Sequence, residues 1–89
     1  MLFLLTNRTR ANLNPAQYGR LAALAKAFYA SMPAGVAVRG EWAAVDRSAN
    51  YSLLEAPDLE TVARIQAPFA AYTETQIVPV TAITGWTAS

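Results

Sequence analysis

The sequence predicts an α+β fold: a four-stranded antiparallel sheet interleaved with two helices in the order β-α-β-β-α-β. Four runs have the apolar or alternating pattern of strands, at residues 1–6, 36–45, 51–56 and 76–84. Two longer runs, opened by Asn14-Pro15 and by Pro57-Asp58, carry apolar residues at steps of three and four. The connection Asp46-Arg47-Ser48-Ala49-Asn50 is turn-rich and short enough to force an antiparallel hairpin. The 89 residues suffice for one domain, read as residues 1–84 with a short tail at 85–89 that has Trp86 as its only bulky anchor.

Each element has a local reason. Met1-Leu2-Phe3-Leu4-Leu5-Thr6 is apolar on both parities, the pattern of a strand covered on both faces. Asn14 is a favoured helix cap and Pro15 is preorganised for the first helical position, so a helix starts there. Its inward stripe is expected to be Tyr18, Leu21, Ala25, Phe28 and Met32, with Pro33-Ala34-Gly35 as the stop. In the second strand Val36, Val38, Gly40, Trp42 and Ala44 share one parity, while Arg39, Glu41 and Ala43 share the other. Asp58 caps the second helix, whose inward residues are expected to be Leu59, Val62, Ile65 and Phe69 or Tyr72. Pro68 should kink or end that helix near Gln66-Ala67. Pro79 has no N–H to give a ladder and assigns the last strand to a sheet edge.

This order is the split arrangement of ferredoxin-like sheets, and right-handed crossovers put the first and third strands in the centre. Composition adds an oligomeric expectation. The chain is 54% hydrophobic and 15% charged, against about a quarter charged in ordinary domains. Helices on one face of the sheet leave the other bare, and large bare apolar faces mark association surfaces. Two sheets packed back to back cover them, so the expected assembly is a homodimer forming a dimeric α+β barrel.

Several chemistries are excluded at once. With no cysteine there is no disulfide, thiol nucleophile or zinc–thiolate site. With no histidine there is no imidazole base, and Ser31, Ser48, Ser52 and Ser89 have no histidine to activate them. A net charge of +1 argues against nucleic acid as a partner. The acidic residues lack calcium-loop spacing, no glycine-rich phosphate loop occurs, and no metal site is expected. No run has the length of a secretory or membrane-spanning segment, so the expected protein is soluble and cytoplasmic, with no membrane partner.

The pattern Gly35-Val36-x-Val38-x-Gly40-x-Trp42-x-Ala44-x-Asp46-x-Ser48, followed by Leu54-Glu55-Ala56-x-Asp58, resembles a short uncharacterised bacterial domain family of dimeric α+β-barrel type. Met1-Leu2-Phe3 and Val78-Pro79-Val80 fall where that family has comparable residues, so the resemblance spans nearly the whole chain. The family usually reads Trp-His where this chain has Trp42-Ala43, so imidazole chemistry does not carry over. More distantly the chain is similar to the antibiotic-biosynthesis monooxygenase and muconolactone-isomerase groups. That resemblance implies a small, often aromatic or polyketide-like ligand held between sheet and helices, without an organic cofactor. Asn7-Arg8 matches in placement an Asn-Arg step of the monooxygenase group.

The residues with chemistry to offer are Arg39, Glu41 and Glu55, charged side chains within strands. A hairpin pairing odd residues with odd, Glu41 near Glu55, would put Arg39, Glu41, Tyr51 and Glu55 on one face. One Glu would then act as general acid or base, with Arg39 or Tyr51 holding an enolate; a one-residue slip would separate them. The structural alternative is edge protection by charge, or an ion pair between subunits. Candidate ligand-binding residues are Asn7, Trp42, Tyr18 and Tyr72, each with a structural alternative. These are loop capping for Asn7, core packing for Trp42, and a place at the core edge for the helix tyrosines Tyr18, Tyr29 and Tyr72. Two functions remain: a cofactor-independent enzyme that isomerises, cyclises or oxygenates an apolar metabolite, or a non-catalytic dimeric module that holds a metabolite or a partner enzyme.

Overall fold

The computed structural model describes residues 1–83. Its elements are β1 (Leu2–Thr9), α1 (Pro15–Ala30), β2 (Ala37–Ala43), β3 (Asn50–Glu55), α2 (Leu59–Gln66), a one-turn 3₁₀ helix (Ala67–Phe69) and β4 (Thr73–Val80). All strand pairs are antiparallel and the sheet order is β2-β3-β1-β4, the ferredoxin-like arrangement. β1 and β3 are central, and Pro79 lies on the β4 edge opposite Phe3. β4 begins at Thr73, three residues before the position expected from sequence, because β1 continues through Thr9 and pairs with it throughout. Thr84 and the tail with Trp86 lie outside the described residues.

The helix termini follow local chemistry. Asn14 accepts a hydrogen bond from the Gln17 backbone N–H, and the Gln17 side chain accepts one from the Asn14 N–H. This capping box satisfies two donors that an uncapped helix leaves orphaned. Asp58 caps α2 by accepting from both the N–H and the hydroxyl of Thr61. The α-helix ends at Gln66, and Pro68 sits in the tighter 3₁₀ turn that follows.

Alternating residues of β1 face opposite ways. Phe3 and Leu5 turn toward the helices and are completely buried, joined by Val36, Leu54, Ala56 and Val62. Ile65 of α2 and Ile77 of β4 pack against this cluster. Burying an aliphatic side chain of this size is worth about 1.5–3 kcal/mol. The core therefore lies beneath α2. α1 has no buried residue over its 16 positions, and Tyr18 and Leu59, both expected inside, are about half exposed. Among the described residues no helix is long and apolar enough to cross a membrane.

The cap of α2 carries a pH dependence. Hydrogen bonds from the Thr61 hydroxyl and then its backbone N–H hold the Asp58 carboxyl below its ordinary 3.8. A depressed folded pKa means that the stabilisation is complete above the unfolded value and disappears as pH falls through the folded one. The Tm gap between the wild type and Asp58→Ala is expected to be constant above 3.8 and to close on further acidification, as melts followed by circular dichroism at stepped pH would show.

Candidate functional site

The space between α1 and the sheet is a cavity of about 420 Å³, within the range of small-molecule pockets. Its apolar surface comes from Leu5 and Leu54 of the sheet, Leu21, Ala25 and Phe28 of α1, and Phe69 of the 3₁₀ turn. β2 and β3 reach it through residues 41–43 and 50–52. No residue of α1 is buried against the sheet, and the space left between them is the cavity.

A β-bulge decides which residues enter. Ala37 pairs with Glu55 and Val38 with Leu54, but Gly40 then pairs with Leu53, so Arg39 is an extra residue in β2. Beyond the bulge odd residues of β2 oppose even residues of β3: Glu41 faces Ser52 and Trp42 faces Tyr51. The pairing of Glu41 near Glu55 therefore does not occur. Glu41 turns to the helix side and accepts a hydrogen bond from the Tyr29 hydroxyl at the mouth of the cavity. Phe28 stacks edge-on against Tyr29, with ring centroids 5.2 Å apart.

Glu55 and Arg39 share the opposite, outer face and do not line the cavity; by alternation Tyr51 and Trp42 also turn outward, yet both border the cavity at its rim. The Arg39 Nη2 to Glu55 Oε2 distance is 2.6 Å, with the two side chains 53% and 43% exposed. At that exposure an ion pair contributes about 0–1 kcal/mol. Trp42 is 56% exposed, not part of the core of this chain. Its indole lies over Gly40, where an added Cβ would meet the Trp42 ring at 2.5 Å. Tyr18 does not line the cavity, and neither does Tyr72, which sits in the turn before β4 and not in a helix.

Asn7 does enter the cavity. Its Oδ1 accepts a 2.7 Å hydrogen bond from the Thr75 hydroxyl, which lies 3.4 Å from Gln66 Oε1 and 3.3 Å from the Thr73 hydroxyl. With its oxygen held this way, Asn7 has its NH₂ group left to donate to a ligand. The Thr73-Thr75-Gln66 cluster and Ser52 escaped the sequence reading because they are ordinary strand and helix polar residues. Only the β1–β4 register, Asn7 opposite Thr75 and Thr9 opposite Thr73, brings the threonines to Asn7. Among the described residues no group of three or more His, Cys, Asp or Glu is placed to hold a metal ion.

A family pattern described as "Domain of unknown function (DUF3303)" matches residues 1–88, and the chain belongs to that family. A crystal structure of muconolactone isomerase is similar in fold, with a TM-score of 0.63 at 21% sequence identity, over 100% of this chain and 97% of that one. Comparison with curated proteins finds no match.

The seat of Trp42 gives a direct test of the bulge. Gly40→Val puts a branched side chain where the indole lies, so the Trp42 indole N–H resonance should shift. An unmoved resonance would mean that the ring does not rest on Gly40.

Proposed function

We propose that this DUF3303 domain is a small-molecule enzyme that moves a proton on an apolar carbonyl compound bound between α1 and the sheet. The observation that carries it is a carboxylate, Glu41, held by a tyrosine hydroxyl at the mouth of an otherwise largely apolar cavity. That combination suits general acid–base chemistry, which needs a positioned proton acceptor beside a site that holds the substrate. Glu41 takes a proton from the carbon next to the carbonyl, and the C–H electron pair becomes the enolate π bond. Ser52, directly across the strand pair, supplies a hydroxyl for the enolate oxygen, while Tyr29 keeps its single O–H on Glu41. Return of the proton to a different carbon of the conjugated system completes an isomerisation. The shift balances without an oxidant or reductant and calls for no organic cofactor. The fold shared with muconolactone isomerase is in keeping with this chemistry.

In this reading Arg39, Glu55 and Tyr51 serve the assembly, not the reaction. The outer face bears Leu2, Leu4, Leu53 and Val78 beside the exposed Trp42. A second copy packed on it as a homodimer would cover them and remove water from the Arg39–Glu55 pair. Sedimentation equilibrium at micromolar concentration is expected to show dimer and no monomer; a stable compact monomer would contradict this.

The chemistry is tested with 2-tetralone in D₂O, reading deuterium incorporation by NMR. Wild-type protein is expected to accelerate exchange, and Glu41→Gln to lose about 10²-fold or more of that acceleration at unchanged Tm. Exchange persisting in Glu41→Gln would remove Glu41 from the reaction. A ligand-induced rise in Tm without exchange would favour the non-catalytic module.

A further inference from the structure

Resting on the cavity as a ligand site, we propose that it selects uncharged molecules and rejects carboxylates and phosphates. Charge placement is the reason. Among the described residues, Glu41 is the one charged side chain that lines the cavity, and none of the seven Lys and Arg residues does. Three of those cations are engaged elsewhere: Arg39 with Glu55, Arg10 with Glu74 and the Ala70 carbonyl, and Arg64 with Glu60. Arg8 is exposed at the outer end of β1, Arg20 and Lys26 are exposed on α1, and Arg47 is in the β2–β3 turn. An anionic ligand would meet a like charge at the mouth and find no cation inside.

The far end of the cavity reinforces this. Asn7 and Gln66 are neutral amides, and Thr75 occupies the Asn7 oxygen. On the helix side of the sheet Asn7 lies two strands from Glu41 and one inward-facing position further along. Two strand spacings and one inward-facing step combine to about 12 Å between the backbones, so a ligand of about two fused rings with a carbonyl substituent spans from the carboxylate to the amide. The amides of Asn7, Gln66 and Asn50 suit a neutral carbonyl oxygen. Neutral donors are weaker counterparts than a cation for a carboxylate stripped of water, and here they would act against the charge of Glu41.

The test compares methyl 2-naphthoate with 2-naphthoate, binding followed by ligand-detected NMR at low and high salt. The ester is expected to bind about tenfold or more tightly than the carboxylate at low salt, the size of a screened charge repulsion across a few ångströms. The gap should narrow with salt, and narrow severalfold in Glu41→Gln through tighter carboxylate binding. Equal or tighter binding of the carboxylate by the wild type, or a gap unchanged in Glu41→Gln, would overturn the selectivity while leaving the 2-tetralone exchange result standing. Binding of neither probe would overturn both this inference and the use of the cavity. Selective ester binding without 2-tetralone exchange would sink the proton transfer alone.

Discussion

One extra residue in an edge strand organises both faces of the sheet. The bulge at Arg39 shifts the alternation of β2, so that Val38 points to the helix side ahead of it and Glu41 after it. The same shift sends Trp42 outward onto Gly40. A regular strand would have kept Trp42 on the side of Val38, against α1, and the space of the cavity would hold an indole. Bulges re-aim side chains in this way because two residues oppose one and the pleat changes phase.

The second constraint is the unequal use of the helix-facing surface. Beneath α2, Phe3, Leu5, Leu54 and Val62 are fully sealed and supply the hydrophobic stabilisation of the domain. Beneath α1 nothing is sealed, and the helix depends on its capping box and on partial contacts from Leu21, Leu24 and Phe28. Close packing is thus concentrated under α2, and Leu5 and Leu54 belong both to that core and to the lining of the cavity under α1.

The charged residues divide along the same lines. Arg39 and Glu55 meet on the outer face, Arg10 and Glu74 meet across the β1–β4 end, and Glu60 and Arg64 pair along α2. Each lies at substantial exposure, where pairing adds little to stability. Glu41 differs in having a neutral partner, Tyr29.

The order of elements, the edge position of β4, the central position of β1, the caps Asn14 and Asp58 and the helix end before Pro68 were all legible in the sequence. Each depends on local chemistry: proline lacks a donor, Asn and Asp cap helix ends, and apolar runs on both parities mark a covered strand. The absence of His and Cys likewise narrowed the chemistry without a fold. The sharing of faces by Glu41, Glu55 and Trp42 was not legible, because strict alternation carries no sign of an inserted residue. Nor were the tyrosine placements, since Tyr18 and Tyr29 lie on nearly the same face of α1 about three turns apart, and which of them meets β2 is decided by how the helix docks. Tertiary structure alone brought Asn7, Thr75 and Gln66 together and set Glu41 against Tyr29. Those contacts join residues whose proximity follows from strand register and helix docking, and both are settled by the packing of the whole sheet.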